Sequence, residues 1–178
     1  CDILSNNWGD GPRGTPTVAG DIVYAMGGGG SLIAADAKTG VIKWKVNMSD
    51  FGGKKPGWGY CESVTVEGDQ VICTPGGSQG SMVALRVKDG SKIWQSAGIT
   101  DGAQYASILP IEHNGMRQYV QLTQQHVFGV DAKRGKVIWQ SPWEGRTAVV
   151  PTPIHKDGHV YISSGYGVGC KLVKLGNG

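Results

Sequence analysis

Short runs of alternating apolar and polar residues, separated by glycine-bearing turns, recur along the whole chain. In Val41-Ile42-Lys43-Trp44-Lys45-Val46, Ile42, Trp44 and Val46 fall on one face and Lys43 and Lys45 on the other. That period of two belongs to a half-buried antiparallel strand. Four β-prone runs begin at Val23, Val71, Tyr119 and Val160; the first three are 48 residues apart and the fourth follows 41 later. A turn pair precedes each one: Gly20-Asp21, Gly68-Asp69, Asn114-Gly115 and Asp157-Gly158. The first unit reads as four strands, over 15–18, 22–26, 31–36 and 41–46, with a turn at 37–40.

A second signal keeps the same beat. Gly40, Gly90 and Gly135 are each followed four residues later by tryptophan, at Trp44, Trp94 and Trp139. Glycine at the turn supplies positive φ at little steric cost, so each hairpin closes in a fixed register and each Trp lands at one defined place. A unit of four short strands cannot bury its faces alone, and stacking such units radially is the propeller solution. The expected fold is therefore all-β, a partial β-propeller of four-stranded antiparallel blades, with one domain over 1–178. Its repeats run over about 15–48, 63–98, 107–143 and 152–178.

Composition supports this and narrows the partners. Thirty glycines and only 17% charged residues disfavour long helices, since glycine costs roughly 1 kcal/mol per helix-interior position. The net charge of +3 is spread without a block of like charges, so neither nucleic acid nor insertion into a membrane is expected. No apolar run approaches the length of a spanning helix. The chain opens on Cys1 rather than Met, which points to a processed product or a fragment. Cys1, Cys61, Cys73 and Cys170 show no zinc-ligand spacing. Cys61 and Cys73 flank a short turn, open either to a disulfide or to two buried thiols.

The residues Ile33-Ala34-Ala35-Asp36 with Gly40 and Trp44, Met82-Val83-Ala84-Leu85 with Gly90 and Trp94, and Val127-Phe128-Gly129-Val130-Asp131 with Gly135 and Trp139 carry a resemblance. The sequence resembles the pyrroloquinoline-quinone (PQQ)-like β-propeller repeat family, whose repeats read Ala/Leu-x-Ala-x-Asp-x-x-x-Gly-x-x-x-Trp. The middle copy departs from this pattern, with Arg86 in place of the Asp. The last copy, from Cys170 to Leu175, stops short of its Gly and Trp. The resemblance implies that Trp44, Trp94 and Trp139, with Gly40, Gly90 and Gly135, dock one blade against the next. It also implies export to the periplasm or cell envelope, and an incomplete ring whose remaining blades lie elsewhere in the polypeptide or on another chain. Quinoprotein dehydrogenases of this family hold PQQ with a disulfide of adjacent cysteines, a calcium or lanthanide bound by Glu, Asn and Asp, and an Asp base. Here no two cysteines are adjacent, and Asp21, Asp69, Asp89 and Asp157 belong to hairpin corners. No catalytic residue, metal or cofactor is expected; PQQ with calcium enters only under the alternative of a dehydrogenase segment.

Binding residues on a propeller collect on its loops. Three segments break the repeat: one from Trp8 to Arg13, one from Asp50 to Tyr60, and Trp143-Glu144-Gly145-Arg146. Aromatic and Arg residues on stiff loops dominate interface energetics. Asp10, Arg13, Trp58, Tyr60, Glu62 and Arg146 are accordingly the candidate partner- or ligand-binding residues, near one rim or the central channel. For Arg13, Glu62 and Arg146 the competing reading is that they satisfy buried groups around the axis. Lys54 and Lys55 are expected to be solvated. Gly27-Gly28-Gly29-Gly30 lacks the Gly-Lys-Ser/Thr of a phosphate loop and reads as a flexible connection. The four histidines fall in different units, and Ser107, Ser163 and Ser164 have no evident base. The function expected is a rigid scaffold or sensor domain for a protein or small ligand.

Overall fold

The computed structural model describes Leu4, Ser5, Asn7 and residues 9–176. Fifteen strands among them form four antiparallel sheets in chain order. The first blade is β1 (Thr17–Ala19), β2 (Ile22–Met26), β3 (Ser31–Asp36) and β4 (Ile42–Asn47). The second is β5 (Thr65–Glu67), β6 (Gln70–Cys73), β7 (Val83–Arg86) and β8 (Lys92–Gln95). The third is β9 (Leu109–His113), β10 (Met116–Leu122), β11 (His126–Asp131) and β12 (Val137–Pro142). The fourth has three described strands, β13 (Ile154–Lys156), β14 (His159–Ser164) and β15 (Gly169–Lys174).

The turn between the third and fourth strands explains the Gly-to-Trp spacing. Asp36 Oδ1 accepts from the amides of Lys38 and Thr39, Gly40 N donates to Asp36 O, and Gly40 sits at φ 72°. Asp131 and Gly135 repeat this. The second blade lacks the acid at the start of its turn and uses Asp89 instead, which accepts from Ser91 N at 2.9 Å. A β-bulge follows at one place in all three, between Ala34 and Ala35, Ala84 and Leu85, and Gly129 and Val130. It sets Trp44, Trp94 and Trp139 opposite Ala34, Ala84 and Gly129.

From that position the indole reaches the neighbouring blade. Trp44 Nε1 donates to Val87 O at 2.8 Å, and Trp94 Nε1 donates to Ala132 O at 3.1 Å. Each ring covers the turn glycine of that neighbour. A Cβ on Gly90 would stand 2.8 Å from the Trp44 ring, and one on Gly135 would stand 2.3 Å from Trp94. Trp139 differs: it is half-buried and its Nε1 donates to Gln118 Oε1 of its own blade, at 2.9 Å. By register the carbonyl it would seek belongs to Leu175 and the glycine to position 178, outside the described residues.

Three apolar clusters fill the spaces between successive blades. A second device ties the inner strands together. Thr15 N donates to Ser63 Oγ, Ser63 N to Ser107 Oγ, and Ser107 N to Thr152 Oγ1, one step per blade. The four-glycine run is a packed turn rather than a flexible connection: Gly27 N donates to Ser31 O, Gly30 N to Gly27 O, and Gly30 lies against the Tyr60 ring. Side chains at Gly28 and Gly30 would collide with Leu4 and Tyr60.

Candidate functional site

Alternation of strand direction sends two kinds of segment to the same end of every blade: the linker to the next blade and the turn between the second and third strands. The three linkers cover 48–64, 96–108 and 143–153. The first opens with a single 3-10 turn, Met48–Phe51, capped by Asn47 and Asp50 and closed by Gly52 at φ 76°. Residues 9–13, 50–60 and 143–146, the described parts of the three segments that break the repeat, lie at this end.

A cavity of about 340 Å³ opens there. Its walls come from five successive stretches: Arg13 ahead of β1, Trp58 and Cys61 from the first linker, Tyr105 from the second, Ala148 and Val150 from the third, and Tyr166 from the β14–β15 turn. The volume falls in the range of small-ligand pockets. Trp58 and Tyr105 form a T-shaped pair with centroids 5.8 Å apart, and Trp58 N donates to the Tyr105 hydroxyl at 3.4 Å. Arg13 fixes the Trp58 loop, with Nη1 donating to Trp58 O at 2.8 Å and Nη2 to Gly9 O at 2.7 Å. The Cys61 thiol lies 3.5 Å from Gly59 O. Burial pushes its pKa up against the pull of Arg13, so the neutral thiol lines the wall at neutral pH. Burial likewise raises Tyr105. The rim is greasy: Val150 is 56% exposed and Tyr166 61%.

Of the six candidate residues, the structure brings Arg13 and Trp58 together at this cavity. Tyr60 and Glu62 lie behind it, in the core. Tyr60 donates its hydroxyl to Pro75 O at 3.0 Å. Glu62, 2% exposed, accepts from Thr74 N at 2.8 Å and Thr74 Oγ1 at 3.2 Å, and Gln121 Nε2 donates to the same hydroxyl. Burial carries the Glu62 pKa up to about 8 against those two hydrogen bonds. Asp10 and Arg146 are exposed and do not line the cavity. Trp8 lies outside the described residues, and Trp143 is buried in the cluster between the third and fourth blades. Cys61 and Cys73 are both free thiols; Cys73 faces inward against Met48.

Sequence reasoning missed Tyr105, Val150 and Tyr166, because none falls in the three segments read as breaking the repeat. It also missed a buried cluster holding the second linker to the third blade. Asp101 Oδ2 accepts from Thr123 Oγ1 at 2.5 Å and lies 2.9 Å from His126 Nδ1. Ser107, considered as a nucleophile, is a step of the hydroxyl ladder.

Comparison with known proteins agrees with this architecture. Residues 4–177 match the family described as outer membrane protein assembly factor BamB. No curated protein matches the chain. Among solved structures, BamB from Moraxella catarrhalis is similar over 84% of this chain and 42% of its own, at 20% identity and a TM-score of 0.61. The computationally designed Ika4 protein is similar over 92% of this chain and 93% of its own, at 13% identity and a TM-score of 0.59. A quinohemoprotein alcohol dehydrogenase, ADHIIG, from Pseudomonas putida HK5 is similar over 85% of this chain and 28% of its own, at 17% identity and a TM-score of 0.58. The chain thus spans about two-fifths of the BamB structure.

Proposed function

Since the chain belongs to the PQQ-like β-propeller family described as outer membrane protein assembly factor BamB, we propose that it is a non-catalytic scaffold. Its linker-end cavity receives an apolar or aromatic stretch of a partner protein. The observation that carries this reading is the cavity itself, where five separate segments of the chain converge and present aromatic walls with Val150 and Tyr166 exposed at the rim. Large apolar side chains exposed together on a rigid surface are the mark of a recognition site. The family description names an assembly factor of the outer membrane, which supports a protein partner and a place in the periplasm or cell envelope. Among the described residues no helix is long and apolar enough to cross a membrane.

The dehydrogenase alternative finds little support in the side chains. Among the described residues, no three His, Cys, Asp or Glu side chains come together to hold a metal. The cavity offers one cation and a neutral thiol in place of the acidic set that calcium requires. These residues do not fit a calcium-held quinone.

The test is a titration of the chain with an uncharged aromatic peptide, acetyl-Gly-Tyr-Val-Phe-Val-Tyr-Gly-amide, read by tryptophan fluorescence. Saturable binding is expected, weakened about tenfold by Tyr166→Ser, which corresponds to about 1.4 kcal/mol. Equal binding by Tyr166→Ser and Val150→Ser would remove the cavity from consideration. Dye reduction after incubation with PQQ and calcium would defeat the non-catalytic reading.

A further inference from the structure

Two walls of the cavity come from successive linkers: Trp58 and Cys61 from the first, Tyr105 from the second. On the cavity side they meet where Trp58 N donates to the Tyr105 hydroxyl at 3.4 Å. Behind them a chain of buried hydrogen bonds joins the same two linkers. Its first member, Glu62, follows Cys61 in sequence and accepts from Thr74 N and Thr74 Oγ1, just past β6. Gln121 Nε2, on β10, donates to that hydroxyl at 2.6 Å and to Ala106 O at 3.3 Å. Ala106 follows Tyr105. The chain therefore runs from the neighbour of one wall, through two blades, to the neighbour of the other, and each of its residues is buried.

Two further contacts place Glu62 between the cavity and the frame. Gly14, next to Arg13 of the cavity, packs so closely that a Cβ on it would stand 2.5 Å from Glu62 O. On the other side, Ser63 N donates to Ser107 Oγ as one step of the hydroxyl ladder, and these two residues follow Glu62 and Ala106 directly. The ladder thus holds one flank of the hydrogen-bonded chain, while the other flank is the cavity wall.

We propose that Glu62 is a positioning residue for the cavity: protonated, it keeps the Trp58 and Cys61 wall and the Tyr105 wall at the spacing that admits an aromatic side chain, and its ionisation lets the first wall move. This rests on reading the cavity as the receptor of an apolar or aromatic stretch. A carboxylate buried without a cation is strongly disfavoured. Among the described residues, the atoms bonded to the Glu62 carboxyl all belong to Thr74, which carries no charge. The titratable groups that act with it, Tyr60 on its own linker and Cys73 on β6, are raised by burial and stay uncharged. Burial raises Glu62 likewise, to about 8, so its proton is held at neutral pH and given up in mild alkali. Once charged, the carboxylate is stabilised by any movement that lets water reach it. Ser63 is fixed by the ladder, whereas Cys61 borders the open cavity, so the movement falls on the Cys61 side. Proton and ligand then favour one state, and each strengthens the binding of the other.

Titration with the same uncharged aromatic peptide at pH 6.5 and pH 9 tests this. Wild-type affinity should fall about fivefold or more over that interval, within the ordinary range of coupling between sites. Glu62→Gln, which keeps the shape without the charge, should bind equally at both. Gln121→Leu cuts the chain to Ala106 without touching the acid, and should bind at pH 6.5 as weakly as the wild type does at pH 9. Cys61 and Tyr105, also raised by burial, are common to all three proteins and cancel. A second measurement needs no peptide: acrylamide quenching of Trp58, taken as the difference from Trp58→Phe, should rise in the wild type with a midpoint near pH 8 and stay level in Glu62→Gln. The circular dichroism spectrum should not change. A residue that only stabilised the core would move neither readout in the folded protein. Absence of peptide binding at every pH would defeat the reading of the cavity, and the quenching then decides the proposal alone. Wild-type quenching or measured affinity that stays level with pH, or that shifts equally in Glu62→Gln, would overturn the proposal.

Discussion

Replacing Glu62 by glutamine tests whether the core behind the cavity is built around a neutral acid. Glu62 is fully buried and titrates near 8 in the fold, against an ordinary value of 4.5. A raised folded-state pKa means that the fold prefers the protonated form. Its contribution is fully present below pH 4.5 and is lost as pH rises through 8. At about 1.4 kcal/mol per unit, the loss is roughly 3 kcal/mol by pH 7 and on the order of 5 kcal/mol when ionisation is complete. That is a large part of the stability of an ordinary domain, about 5–15 kcal/mol. Glutamine keeps an acceptor for Thr74 N and offers a donor to Thr74 Oγ1 without a charge to desolvate. Urea unfolding followed by tryptophan fluorescence from pH 4.5 to 8.5 should show wild-type stability falling relative to the variant. His155 also titrates in this window: burial lowers its pKa, so its contribution is lost as pH falls below 6.5. It is present in both proteins and cancels in the difference. Asp36 and Asp89, held low by hydrogen bonds in their turns, act below 3.8. Parallel stability curves for wild type and Glu62→Gln would refute the reasoning.

Two further substitutions probe the lock between blades by chemical denaturation. Trp94→Phe removes the bond to Ala132 O from a buried site and should cost about 1–3 kcal/mol; a loss smaller than that of Trp139→Phe would contradict the assigned roles. Gly135→Ala adds a Cβ 2.3 Å from the Trp94 ring at φ 68°, whereas Gly115→Ala, at φ 72°, meets open space. The second should show only the backbone penalty of about 1–2 kcal/mol, and equal losses at the two sites would mean the ring is not seated on the glycine.

The blades were legible because their signals are local and repeated. The Gly-x-x-x-Trp turn and the alternation over 43–46 specify a hairpin within ten residues, and each copy reinforces the others; Ile42, read on the face of Trp44, is turned to the opposite face by the bulge between Ala34 and Ala35 and pairs with Ala35. The hydroxyl ladder was legible in principle, since Thr15, Ser63, Ser107 and Thr152 recur at separations of 48, 44 and 45. It was passed over because a lone serine or threonine two residues ahead of a strand carries no strong pattern of its own. The substitution of Arg86 for the turn acid looked like a defect in the repeat. It is compensated in the same turn by Asp89, three residues after Arg86, a relocation visible only once the hydrogen bond to Ser91 is seen.

The cavity was not legible for a reason that follows from the same architecture. Its walls come from stretches that have no common phase: Arg13 precedes the first strand, Trp58, Tyr105 and Val150 occupy linkers of different length, and Tyr166 sits on a turn. What brings them together is the curvature of the blade stack, which depends on all the internal contacts at once. Aromatic and charged loop residues were singled out by type, and residue type does not say which side of a linker faces out. Trp58 turns to the cavity because Arg13 holds its carbonyl and Tyr105 receives its amide. Tyr60, two residues on, turns inward because Gly28 O anchors its amide and Pro75 O its hydroxyl. The repeated contacts thus fix a rigid frame. The linkers share in that frame, through Trp143 in the cluster between the third and fourth blades and through the Ser63, Ser107 and Thr152 steps of the ladder, whereas Trp58, Tyr105 and Val150 stand outside the repeated Gly-to-Trp contacts.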